Sequence, residues 1–315
     1  MERIKLILLG LLPALVATSV VAGDFAFVTN QNSEEVSVLD LQARVEVARI
    51  SVPGQPAGVA VDGAGHFFTV SPGSKVVRKY DAGNGNVLKA TMLDGGPIGI
   101  ALDAEENRLF VSDWYNARIW VLNSDTLDLQ GTLGTGAAPA GLAISPDGGL
   151  LVSADRDADQ ISVFDLDDLM LRHRLGVGTR PFGLGFAPDG RLFVGNVGSD
   201  DVTVLDPAAG KLLATVAVGA RPYGVAFAQG RAFVTNQYAD TVSVIDLETL
   251  APVATIDVGE YPEGIDITSD RQTVIVANWF SNTVSLIDAT KLEVTGEIGT
   301  GDGPRAFGKF VARRN

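Results

Sequence analysis

Short segments in which apolar residues alternate with small polar ones recur along this chain. In "TVSVID" (residues 241–246) Val242 and Val244 face one way and Ser243 the other. That period of two marks a half-buried strand. Around it, "GVAF" (224–227), "AFVTN" (232–236) and "VATIDV" (253–258) read as three further strands. Turn residues separate such segments, as in "SPDG" (145–148) and "APDG" (187–190), which favour tight reversals.

The four-strand group repeats. A Pro-x-Gly element stands at Pro56, Pro97, Pro139, Pro181, Pro222 and Pro262, and Pro304 continues it, at steps of 41, 42, 42, 41, 40 and 42. A second marker keeps the same beat at the end of the third strand: Asp40, Asp81, Asn123, Asp165, Asp206, Asp246 and Asp288. Four antiparallel strands in a unit of about 42 residues are the signature of a propeller blade. The expected fold is therefore all-β, a seven-bladed β-propeller of four-stranded antiparallel blades. We number the blades from the one that begins at Pro56. The seventh takes a second strand from 24–30 and a first strand from 306–312. Strands from both ends sharing one blade would close the ring and remove its exposed edges. Loss of the last ten residues is expected to destabilise the whole ring.

The opening residues follow a different pattern. Arg3 and Lys5 precede an apolar run from Leu6 to about Val16, and Val20 and Ala22 stand where a signal peptidase reads. This predicts a secretory signal peptide over residues 1–22, cleaved after Ala22, with the propeller spanning 23–315. Pro13 and the short run argue against a membrane anchor. The expected location is periplasmic or secreted. The chain has no cysteine, so stability rests on packing without disulfides. Its net charge of -14 excludes nucleic acid as a partner, because phosphate binding needs a basic surface.

Residues 233–265, "FVTNQYADTVSVIDLETLAPVATIDVGEYPEGI", resemble the YVTN-type β-propeller repeat of exported bacterial and archaeal proteins. Residues 27–40 and 276–294 repeat the likeness, which extends over residues 23–315. The resemblance implies a binding module, a subunit of a redox system, or occasionally an enzyme. Related propellers include the haem domain of cytochrome-type nitrite reductase and the large subunits of periplasmic amine dehydrogenases. In the latter the quinone cofactor sits in a separate small subunit, so such a chain needs no catalytic groups of its own. Blade one departs most, with Ser71 for the usual Asn and Lys79 at an apolar position.

Loops after the second and fourth strands share one face, here called the upper face, beside the central channel. The large and charged residues flanking the prolines fall on consecutive blades: Arg180 and Phe182, Arg221 and Tyr223, Tyr261 and Glu263, then Arg305. Loops after second strands add Gln237, Tyr238, Trp279, Phe280 and, across the ring, Trp114. Aromatic walls with convergent arginines suit a small anionic or zwitterionic ligand, or an acidic peptide. The same residues could instead bridge blades, cover the channel, or dock a partner such as a periplasmic redox protein. Asp266 stands where the other repeats carry Ala or Gly, so it joins the candidate site as an inner carboxylate needing water or a cation.

Familiar catalytic chemistry is scarce. His66 and His173 fall in different parts of the blades and do not form a shared metal site, so no histidine-ligated haem or zinc is expected. A Ser-His or Cys-His pair is missing from the upper face as well. The aspartates that end the third strands each open a hairpin, where an Asx bond accounts for them without calcium. No cofactor and no metal are implied. The leading expectation is a non-catalytic binding or scaffold propeller. The alternatives are the large subunit of a quinoprotein-type amine dehydrogenase, and a stand-alone hydrolase or lyase using Glu263 or Asp266.

Overall fold

A computed structural model describes residues 23–314; the signal segment expected over 1–22 lies outside them. Seven sheets form, six of them four-stranded, each joining sequence neighbours except where the two ends of the chain meet. Blade five shows the pattern: Pro222–Ala228, Arg231–Asn236, Thr241–Asp246 and Pro252–Asp257, all antiparallel. Only one turn of 3-10 helix is described, at Arg156–Ala158, and no described helix is long and apolar enough to cross a membrane.

Local chemistry explains the strand ends. Asp246 Oδ1 accepts the amides of Glu248 and Thr249, and Asp40 and Asp288 do the same two and three residues on. These are the Asx turns expected at the end of the third strand. The "SPDG" and "APDG" reversals close with Gly148 N donating to Ser145 O and Gly190 N to Ala187 O, both glycines at positive φ. The Asn of "VTN" ties the second strand to the third. Asn236 is fully buried and donates to Thr241 and Ser243 on the third strand; Asn30, Asn196 and Asn278 repeat the bond seven residues on.

Blades pack through apolar faces. Phe27, Phe67 and Tyr80 stack with centroids 4.8 and 4.6 Å apart between blades seven and one. Side chains buried to this degree each contribute on the order of 2–3 kcal/mol. Near the axis the backbones come close. Thr29, Ser112 and Thr235 hydroxyls donate to carbonyls of the next blade's inner strand at 2.7–2.9 Å. Gly183 permits this approach: a Cβ there would lie 1.8 Å from Tyr223 O. Lys79, buried against the Phe68 ring, reaches the neighbouring blade's Asp125 at 2.9 Å, and blade one keeps the register of the others, including the bulge after Lys79 that blade five has after Val244.

Closure departs from the sequence expectation in one respect. The final strand is not continuous over 306–312. Phe307–Lys309 pairs in parallel with Gly58–Val61 of blade one, whereas Val311–Arg314 pairs antiparallel with Gly23–Asn30. The break lies opposite Asp266, whose Oδ2 accepts Phe310 N at 2.8 Å and Val311 N at 2.9 Å. Its Oδ1 accepts Ile267 N and lies 3.3 Å from Lys309 Nζ.

Candidate functional site

The residue before the inner-strand proline turns through a left-handed backbone in every blade but the second, where Gly96 does not: φ is 53° at Arg180, 56° at Arg221 and 60° at Tyr261. This costly conformation is held by a side chain from the preceding blade. Asp159, Asp200 and Asp240 each accept the amide of Arg180, Arg221 and Tyr261, at 2.7, 2.8 and 2.8 Å. The carbonyls of Arg221 and Tyr261 then accept the amides of Gln237 and Trp279, pinning the loop after the second strand. Two rings of side chains are thereby fixed at the channel mouth: one just after each proline, one just after each second strand.

They enclose a cavity of about 420 Å³ lined by Trp114, Arg156, Phe182, Val197, Arg221, Tyr223, Gln237, Tyr261, Glu263, Trp279, Phe280 and Arg305. Ten expected site residues meet here: Trp114, Phe182, Arg221, Tyr223, Gln237, Tyr261, Glu263, Trp279, Phe280 and Arg305. Three others do not line it. Arg180 is exposed; Gly198 in its blade stands where blade five offers Arg221 the Tyr238 ring. Tyr238 lies behind Arg221 as that platform, its ring 4.3 Å from the guanidinium carbon. Asp266 sits farther down the inner strand, engaged by the closing segment as described above. Arg156 and Val197 were missed, although Arg156 follows Asp155 as Trp279 follows Asn278.

The floor is a fixed network. Phe182, Tyr223 and Phe307 pack with centroids 4.4, 5.1 and 5.8 Å apart and plug the channel. Arg305 Nε lies 3.0 Å from Glu263 Oε2 in an ion pair; its other nitrogens donate to Gln31 Oε1 and the Tyr223 hydroxyl. Gln237 Nε2 donates to the second Glu263 oxygen at 2.6 Å. Burial pushes the Glu263 carboxyl up, opposed by Arg305, Gln237 and Arg221. Burial also raises the Tyr223 hydroxyl. It works against the Arg305 charge, but Glu263 and Tyr223 outweigh it and raise that pKa. Arg305 therefore serves the floor and has little left for a ligand.

Above the floor the groups are less committed. Arg221 Nε and Gln237 Oε1 are buried and have no hydrogen-bond partner among the described residues. Arg156 lies over Trp114 at 5.4 Å and pairs with Asp157. Tyr261 packs between Tyr238 and Phe280 at 5.4 and 4.8 Å; burial and the Tyr238 hydroxyl push its own hydroxyl up to about 12. The cavity thus presents arginine donors, one amide acceptor and aromatic walls. Among the described residues no group of three or more His, Cys, Asp or Glu is placed to hold a metal ion.

Comparison with known proteins agrees with the fold. Residues 210–305 match the model of the YNCE-like beta-propeller family, consistent with the YVTN-type seven-repeat resemblance. None of the curated proteins matches the chain. Among solved structures, a functionally unknown protein from Desulfotomaculum acetoxidans DSM 771 is similar at 15% identity and TM-score 0.77, covering 92% of this chain and 98% of that one. Kuenenia stuttgartiensis hydrazine synthase is similar at 16% identity and TM-score 0.72, covering 81% and 89%. Likeness at this identity concerns the fold alone.

Proposed function

We propose that this propeller is an exported binding module that takes a small anionic or zwitterionic ligand at the upper mouth of its channel. The observation that carries the reading is that two buried atoms at the cavity, Arg221 Nε and Gln237 Oε1, have neither a hydrogen bond nor an ion pair, unlike Arg305 Nε and Glu263 Oε2, which face each other in an ion pair. An unmade hydrogen bond at a buried group costs about 1–3 kcal/mol, which a ligand supplying both partners would recover. A carboxylate or phosphate would accept from Arg221, and an adjacent ammonium or hydroxyl would donate to Gln237. Tyr238 holds the Arg221 guanidinium flat, so less side-chain freedom is lost on binding. The rigid Glu263, Arg305 and Tyr223 floor keeps this geometry without joining it.

Thermal shifts against a panel of amino acids, dicarboxylates and phosphate monoesters test the proposal. At least one class should stabilise the protein by about 2.7 kcal/mol at a hundred times its Kd. Arg221→Ala should lose that shift. Wild type unmoved by the whole panel, or an Arg221→Ala variant that shifts equally, would refute it.

A second reading rests on the rim. Tyr115, Tyr238 and Phe280 are 75%, 58% and 63% exposed, an aromatic surface of the kind that docks another protein. A catalytic subunit of a quinoprotein-type dehydrogenase would be such a partner. Native mass spectrometry of the protein isolated from its own periplasm separates a bound small molecule from a bound subunit.

A further inference from the structure

Below the aromatic plug the channel has a different character. It is a cavity of about 360 Å³ walled by the inner strands. Val61, Leu102, Ile144 and Phe186 line it and stay half-exposed, although they belong to strands whose other residues are largely buried. Phe182, Tyr223 and Phe307 close its top, so it is a dead end. Filled with solvent it would hold roughly a dozen waters at ~30 Å³ each, against walls that are more apolar than polar. Displacing such water with an apolar body is favourable.

Two charged residues line this cavity. Glu263 is held from above by Gln237 and Arg305. The other is Lys309, with its side chain 76% exposed. Its neighbour Asp266 takes the amides of Ile267, Phe310 and Val311 and lies 3.3 Å from Lys309 Nζ, so its oxygens are satisfied largely by backbone donors. The Lys309 ammonium keeps donors to give.

We propose that the lower channel is a second binding site, for an amphipathic molecule with one anionic head: an alkyl or aryl carboxylate. Its apolar body fills the space between Leu102, Ile144 and Phe186, and its carboxylate meets Lys309. This site is separated from the upper cavity by the plug and uses none of the arginines there.

Calorimetric titration of the unmodified protein with decanoate, decanol and decylamine gives the test. Decanoate should bind one molecule per chain, about fivefold tighter than decanol, the size of one largely solvent-exposed ion pair, with decylamine weakest. Lys309→Gln should bring decanoate to the level of decanol, and Ile144→Arg should abolish binding of both. No decanoate binding to wild type, equal affinity for the three head groups, or affinity untouched by Ile144→Arg would overturn the proposal. The head-group comparison uses the natural chain, so it stands even where a variant misfolds.

Discussion

Replacing Asp266 with alanine should loosen the ring at its closure. The carboxylate is 3% exposed and receives Phe310 N and Val311 N at 2.8 and 2.9 Å, where the last strand leaves blade one for the first strand of the chain. Phe310 is fully buried, so its amide has no ready access to water. Each buried donor left unmade costs about 1–3 kcal/mol, and relief of the carboxylate's own desolvation returns part of that. A net loss of about 3 kcal/mol follows. For a chain of this size each kcal/mol moves Tm by roughly 2–4 °C, so Tm should fall by about 6–12 °C. Asp266→Asn keeps one acceptor oxygen without the charge and should lose about half as much. Lys309→Met removes an ion pair whose lysine is largely in water and should cost less than about 1 kcal/mol. Differential scanning fluorimetry reads the three variants, and hydrogen exchange at residues 310–313 localises the opening. An Asp266→Ala variant melting within a degree of wild type, or Lys309→Met costing as much, would refute the reasoning.

Other consequences are equally open to measurement. Tyr261 ionises near 12 and Tyr223 is raised as well, whereas unfolded tyrosines ionise near pH 10. Above pH 10 the unfolded chain therefore binds fewer protons than the native one, and stability should fall as pH rises toward 12. Urea midpoints at pH 9 and 11 check this, and Tyr261→Phe should flatten the decline. Gly183→Ala forces a Cβ to 1.8 Å from Tyr223 O and should cost about 1–3 kcal/mol or more, whereas Gly134→Ala, with open space around it, should stay within about 0.5. Equal melting of the two would contradict the close approach of inner strands. Arg305→Leu strands the Glu263 charge and should cost about 3–5 kcal/mol; adding Glu263→Leu should recover most of it, as a double-mutant cycle would read.

Much of the architecture was written locally. The third strand of blade five was legible to the residue, because Val242 and Val244 alternate with Ser243 and Asp246 ends the run with its own Asx turn. The mouth residues were legible as positions, since the same place after each proline and each second strand recurs in every blade. Their roles were not. Arg305 looked like one arginine of an anion clamp, yet it is consumed by Glu263, Tyr223 and Gln31. Arg180 opens "RPFGLGF" (180–186) and Arg221 opens the similar "RPYGVAF" (221–227), yet Arg180 is exposed whereas Arg221 lies over the Tyr238 ring at the cavity.

The sequence by itself determined the count of blades, the strand order away from the closure and most of the residues that ring the channel. All of these follow from alternation and turn chemistry acting within a few residues, repeated at a fixed period. Tertiary structure alone decided which of those residues stay available. Asp266 meets Phe310 across 44 residues, Arg305 meets Tyr223 across 82, and Arg305 meets Gln31 across 274. Such partners come together only when the ring closes, and hydrogen bonds between them depend on ångström-scale placement that no periodicity encodes.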